Sequence, residues 1–372
     1  MKISRRSALQ AAGTGALAPA LPAAAAPAPR KSWPIEEGPG TPKLCLDLGA
    51  GRAPLTPQDE AAIRRVRQLG ITHVLSGGAR IPWDEKALRE RIQRLKDHGL
   101  TLSNLMIGGF PNTLYGRPGR DEEIDKVMQS VRAAGRAGLP VIEYNFYANR
   151  LTEGYYEEPG RGGAGMTAYS YDKAKDLPPL PGAGTHTLDQ MWSNITYFLK
   201  AVVPEAEKAG VRLALHPNDP PVPLSRGSQQ IMATLAGWKR LIEIVPSESN
   251  GITYDCGVTR ELGEDPVEVC RYFASRRRIN HVHFRNVRVR TPYVDYTEVF
   301  PDEGQVDMFA VMRELVRQRY TGIIYPEHPR ALDADRESPN FKVFYPGGGS
   351  YTGFTYNVAY ARAMLQAALA TA

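Results

Sequence analysis

The 372-residue chain carries 46 Lys and Arg against 40 Asp and Glu, a formal net charge of +6. Lys2, Arg5 and Arg6 supply three of those charges before any acid appears, so about +3 remains beyond them, too little to point to a nucleic-acid partner. Cys45, Cys256 and Cys270 are too few for a disulfide framework.

The chain opens with adjacent arginines, Arg5-Arg6, followed by an alanine-rich run from Ala8 to Ala26. Ala24-Ala25-Ala26 offers a small-residue cleavage site, so residues 1–26 read as a twin-arginine signal peptide. Gly13, Gly15, Pro19 and Pro22 interrupt the run and argue against a membrane anchor. The pattern predicts that the twin-arginine export machinery carries the folded chain to the periplasm or the exterior, with no stable membrane span after cleavage. Residues 27–42 read as an N-terminal extension, and 43–370 as one catalytic domain.

Within that domain, short β-rich runs alternate with helical patterns. The first strand is predicted at 44–48, with a helix from Thr56-Pro57 to Gly70. The second strand covers 73–76 and its helix 84–98. The third strand runs 100–107, with a helix over 121–137, and the fourth 141–146. A long segment rich in Gly, Pro and Tyr then interrupts the alternation from 150 to 187, in the manner of a loop over an active site. A helix over 188–209 leads to the fifth strand at 212–216. Strands at 251–256, 280–284 and 322–325 follow, with helices from Pro266, Val306 and Phe354. Eight units predict a closed (β/α)8 TIM barrel, and no Gly-rich nucleotide fingerprint follows the first strand.

In such a barrel, the C-terminal ends of the strands face the active-site mouth. Strands five to eight end in His216, Asp255, His283 and Glu327. Two imidazoles and two carboxylates on adjacent strands make a divalent-metal site, with Mn2+ preferred and Mg2+, Fe2+, Co2+ or Zn2+ as alternatives. Neighbouring strand residues point to opposite faces, so Asp255 and Cys256 cannot both turn inward. His281 shares a face with His283 but lies deeper. The residues alone reach a metal-assisted carbohydrate enzyme.

The segment His216-Pro217-Asn218-Asp219-Pro220-Pro221 resembles the His-Pro-Asp-Asp-Pro-Pro of metal-dependent mannonate dehydratases, which are xylose-isomerase-like barrels. Tyr144-Asn145-Phe146, Asn250-Gly251-Ile252-Thr253, His283-Phe284-Arg285-Asn286-Val287, Gln305-Val306-Asp307-Met308 and Pro326-Glu327-His328 extend the resemblance over roughly residues 43–365. It implies Mn2+ held at His216, Asp255, His283 and Glu327. It also implies a hydro-lyase that converts D-mannonate to 2-dehydro-3-deoxy-D-gluconate. Two positions depart from the family pattern. Asp255 stands where a cysteine is usual, and Glu327 where an aspartate is usual.

Dehydration of a sugar acid needs stabilisation of an enolate and a proton for the departing hydroxide. His328, beside Glu327, is the first candidate for that acid–base work, histidine being suited to neutral pH. Arg285 is a candidate to pair with the substrate carboxylate, and Tyr144 is a third catalytic candidate. Asn145, Asp219 and Asn286 are candidates for substrate binding. The carboxylate-rich site keeps an exported sugar isomerase or epimerase as an alternative, and a carbohydrate-binding protein without catalysis as a more distant one. A homo-oligomer is expected from the barrel class alone.

Overall fold

Eight strands with buried, apolar-rich sequences form the centre of the fold: β1 (Lys43–Asp47), β2 (His73–Gly77), β3 (Thr101–Ile107), β4 (Val141–Tyr144), β5 (Arg212–Leu215), β6 (Asn250–Asp255), β7 (Ile279–His283) and β8 (Ile323–Tyr325). Each pairs in parallel with its neighbours in sequence, and β1 pairs with β8, which closes the barrel. The chain therefore forms the expected (β/α)8 barrel, with no strand out of order. The computed structural model describes residues 33–49, 54–339, 341–343 and 345–371. The signal peptide expected over 1–26 lies outside the described residues. No helix among the described residues is long and apolar enough to cross a membrane.

The surrounding helices follow from local chemistry. Thr56 and Asp59 form a reciprocal capping box at the start of the helix Pro57–Gln68, and Thr187 and Gln190 do the same for Leu188–Ala209. The second of these buries Met191, Trp192, Ile195, Phe198, Leu199, Val202, Val203 and Ala206. That three-and-four spacing is one helical face, and each large apolar side chain so buried contributes roughly 1.5–3 kcal/mol. The helix Leu235–Ile244 after β5 is an element that sequence patterning missed. It is ten residues long and is capped by Thr234.

The segment 150–187 is more ordered than the expected loop. It contains the strands Tyr155–Pro159 and Gly165–Ser170. These join a hairpin of Asn286–Thr291 and Asp295–Val299, which follows β7, in a four-stranded antiparallel sheet. This accessory sheet grows from the mouth of the barrel, because both of its hairpins leave the C-terminal ends of barrel strands. Tyr155, Tyr169 and Tyr296 pack within it, with ring centroids 4.8 and 5.2 Å apart along the series. Alternating short strands broken by Gly and Pro carry too little helical or long-strand period to stand out in a single sequence.

One glycine shows how closely the outer helices approach. Gly135 lies inside the helix Arg120–Ala137, where glycine is usually unfavourable. A Cβ there would lie 2.3 Å from the carbonyl oxygen of Ala209. Gly135→Val should therefore force the two helices apart and destabilise the fold by roughly 1–3 kcal/mol, read as a lowered urea midpoint.

Candidate active site

The barrel mouth encloses a cavity of about 250 Å3, lined by Asp47, Glu143, His216, His283, Glu327 and His328 together with Asn145, Arg150 and Asp219. Strand register explains the arrangement. Thr253 pairs with His281 and Asp255 with His283, so these residues share the interior face of β6 and β7. Cys256, the next residue, turns away. Its thiol donates toward the carbonyl of Arg285 at 3.2 Å, and burial pushes its pKa up.

Three of the four expected ligands converge closely. His216 Nε2 lies 3.1 Å from His283 Nδ1, which lies 3.0 Å from Glu327 Oε1. Asp255, His283 and Glu327 bring one donor atom each within 4.8 Å of one another. Asp255 is fully buried behind the cavity wall. Its Oδ1 accepts from the backbone N–H of Val258, capping the helix Cys256–Glu261, and its Oδ2 accepts from Arg285 Nε at 3.0 Å. Each of those oxygens keeps a further lone pair.

The partners of the two imidazoles assign their protons. His216 Nδ1 faces the carbonyl of Pro217 at 2.7 Å, so it carries the hydrogen and leaves Nε2 as an acceptor. His283 lies between two carboxylates, with Nε2 3.4 Å from Glu143 Oε1 and Nδ1 3.0 Å from Glu327 Oε1, which favours a proton on each nitrogen. His283 Nδ1 then faces both the lone pair of His216 Nε2, at 3.1 Å, and the buried oxygen Glu327 Oε1. Such a set favours positive charge between its members, and its mixed N and O donors suit a divalent cation. The titration behaviour has the same cause. Burial opposes charge on His283, but Glu327 and Glu143 outweigh it and push its pKa up to about 9. Burial likewise opposes charge on Glu327, yet His283 and His328 hold it well below the usual carboxylate range. His281, deeper in the barrel, is brought down to about 4, chiefly by burial.

Glu143 belongs to this centre and was not singled out from the sequence. It is 2% exposed, accepts from Thr253 Oγ1 at 2.8 Å and Asn104 Nδ2 at 2.9 Å, and forms a second donor group with His216 and His283. The available signal was a lone acid in the otherwise apolar run Val141-Ile142-Glu143-Tyr144. A buried acid of this kind needs a partner.

Three expected roles are not supported by placement. Tyr144 follows Glu143 and therefore faces outward, where it packs against Phe198 at 5.6 Å. It is 1% exposed, its hydroxyl has no hydrogen-bond partner among the described residues, and it lies outside the cavity as a core residue. Asn286 is equally remote from substrate. Its amide nitrogen donates to the carbonyls of Pro301 and Val306, and its oxygen accepts from the N–H groups of Val287 and Val306. It therefore ties down the chain after the accessory hairpin. Arg285 is 2% exposed and spans Asp255 and Glu261, the latter at 2.6 Å, while Asp219 Oδ2 lies 3.6 Å away. It neutralises the wall of the site and does not line the cavity.

The remaining catalytic and substrate-binding candidates, Asn145, Asp219 and His328, do line it. Asp219 accepts from Arg150 Nη2 at 2.8 Å and from Tyr155 Oη at 2.7 Å. Burial opposes its ionisation, but Arg150 and Arg285 more than compensate and lower its pKa. His328 adopts a left-handed backbone, with φ of 47°, a strained position for a non-glycine residue. Its Nδ1 pairs with Glu298 Oε2 at 2.9 Å, and Nε2 lies 3.5 Å from Glu327 Oε2. Fully buried Arg330 holds the arrangement, donating both to Glu298 Oε2 and to the carbonyl of His328. Glu298 comes from the accessory sheet, so a distant hairpin orients a cavity histidine.

A parallel (β/α)8 barrel whose mouth gathers paired imidazoles and carboxylates, with a further oriented histidine beside them, defines a TIM-barrel site suited to metal-assisted acid–base chemistry. Comparison with known proteins narrows this. A sequence model of D-mannonate dehydratase (UxuA) matches residues 54–176 and 185–371. The mannonate dehydratase of Streptococcus agalactiae serotype Ia is 30% identical over 300 residues, covering 71% of this chain and 84% of that protein. That of Streptococcus uberis is 28% identical over 323 residues, covering 77% and 91%. The crystal structure of mannonate dehydratase from Streptococcus suis serotype 2 superposes with a TM-score of 0.78 at 26% identity, over 88% of this chain and 94% of that one. L-ribulose 3-epimerase, at a TM-score of 0.55 and 15% identity over 88% and 96%, shares the fold. The chain belongs to the D-mannonate dehydratase family, and its reaction class is that of a hydro-lyase.

Removing the Glu298 carboxylate should free the His328 ring while leaving the cavity lining in place. Glu298→Ala is expected to lower kcat by roughly 10- to 100-fold, with KM changed less than about threefold, in steady-state dehydration kinetics.

Proposed function

We propose that the protein converts D-mannonate to 2-dehydro-3-deoxy-D-gluconate, with a divalent cation, Mn2+ by preference, held by His216, Asp255, His283 and Glu327. The observation that carries this reading is the convergence of His216 Nε2, His283 Nδ1 and Glu327 Oε1, within one cavity that also holds His328. When bound, the cation supplies Lewis-acid stabilisation of the negative charge that develops beside the substrate carboxylate.

The chain's own residues account for the proton traffic. His328 Nε2, kept free by the Glu298 bond to Nδ1, takes the proton from the carbon next to the carboxylate. The same imidazole then gives a proton to the hydroxyl on the following carbon as its C–O bond breaks, so water leaves and the histidine returns to its starting state. The resulting enol becomes the 2-keto acid by moving its hydroxyl proton to the carbon that lost oxygen. Asn145 lines the cavity and is available to substrate hydroxyls.

Mass-resolved product analysis of the Mn2+-loaded protein with D-mannonate tests the reaction. Loss of one water is expected, abolished by chelation and by His216→Ala, with added Mn2+ restoring only the unmutated protein. Mass-neutral conversion of another sugar, with D-mannonate untouched, would transfer the assignment to an isomerase or epimerase.

We further propose that residues 1–26 direct twin-arginine export, a reading supported by Arg5-Arg6 and the alanine-rich run behind them. Cell fractionation should find the natural chain outside the cytoplasm and an Arg5→Lys, Arg6→Lys double variant retained within it. Cytoplasmic retention of both would reject the export reading.

A further inference from the structure

The reading of the substrate as a sugar acid raises an electrostatic problem that Arg285 does not solve. The cavity is walled by Asp47, Glu143, Asp219 and Glu327, all of which disfavour an incoming carboxylate when ionised. Among the described residues that line it, Arg150 is the one side chain with a permanent positive charge. Its position is built. Nε donates to the carbonyl of Asp219 at 2.6 Å and Nη2 to its Oδ2 at 2.8 Å, and Asp219 is held in turn by Tyr155. The backbone beside it is braced by Ser225 Oγ, which donates to the carbonyl of Asn149 at 2.9 Å, and Leu151 is buried. These bonds occupy one edge of the guanidinium. Nη1 makes no hydrogen bond among the described residues, and the side chain keeps 40% of its surface exposed.

We propose that Arg150 is the specificity-determining residue that binds the carboxylate of the substrate through its free Nη1 edge. The proposal deepens the sugar-acid reading and rests on it. A guanidinium fixed in advance loses little freedom when it pairs with a carboxylate, and its hydrogen bonds to an anion are of the stronger, charge-assisted kind. The role expected for Arg285 thus falls to a residue on the loop after β4, with Asp219 between the two guanidiniums. Arg285, spent on Asp255 and Glu261, stabilises the wall, whereas Arg150 faces the space the substrate would enter.

Calorimetry on the Mn2+-loaded full chain, with D-gluconate and its uncharged counterpart D-gluconamide as probes, separates charge recognition from general binding. The unmutated protein should prefer the carboxylate by roughly ten- to a hundredfold. Arg150→Met should bring that ratio close to one by weakening the carboxylate alone, and Arg150→Lys should restore part of it. Equal loss of both ligands in Arg150→Met would mean that Arg150 only supports the loop, and would overturn the proposal. A ratio unchanged in that variant, or near one in the unmutated protein, would overturn it as well. The water-loss assay on D-mannonate is read separately, so the substrate reading can fail while the calorimetric ratio still decides the part played by Arg150.

Discussion

The mouth of this barrel depends on the burial of Arg285. Its guanidinium donates to Asp255 and Glu261 and lies within 4 Å of Asp219, Glu298 and Glu327. So many carboxylates in a water-poor wall would otherwise repel one another or take up protons. Burial, helped by the nearby charges of Asp219 and Asp255, raises the pKa of Glu261 well above its ordinary value even with the arginine present. Gly257 makes room for this arrangement, since a Cβ there would lie 2.8 Å from the Arg285 side chain. A pair of this kind adds little net stability, because desolvation offsets its attraction. Its consequence is placement: Asp255 is held by a cap on one oxygen and by Arg285 on the other, with its remaining lone pairs directed by both.

The same logic runs outward through the accessory sheet. Glu298 enters the site from the strand Asp295–Val299, while Tyr155 and Tyr296, joined by a 3.2 Å hydroxyl contact, bring the sheet against Asp219. Arg330 closes the circuit by bonding both Glu298 and the strained His328 backbone. Two segments far apart in sequence thus complete a cavity that the eight barrel strands only begin. The left-handed conformation of His328 is tolerated because these bonds oppose its relaxation.

Asp255 and Glu327, the two departures from the family pattern, acquire a physical setting here. A carboxylate at 255 can cap the following helix and bind Arg285 while keeping lone pairs for a cation, which one thiolate sulfur could not do with the same geometry. The nearby thiol of Cys256 is buried on the opposite face and is held protonated by its surroundings.

Much of this was legible in the chain itself. Period-two and period-three-to-four apolar patterns, capping residues such as Thr187, and turn glycines are local properties, so the eight strand–helix units and the clustering of His216, Asp255, His283 and Glu327 at strand ends could be read directly. The identity of strand-end residues does not reveal the direction or the partners of each side chain. Glu143 and Tyr144 are adjacent and were separated only by register, which sent the acid inward and the phenol into the helix layer. Arg285 and Arg150 carry the same charge, and only packing decided that one is enclosed by acids while the other keeps an exposed edge on the cavity. Glu298 reached His328 through a sheet assembled from two distant loops. Local sequence determined the elements and the chemistry available at their ends; three-dimensional contact, where burial makes every charge answer to its neighbours, decided which of those groups meet.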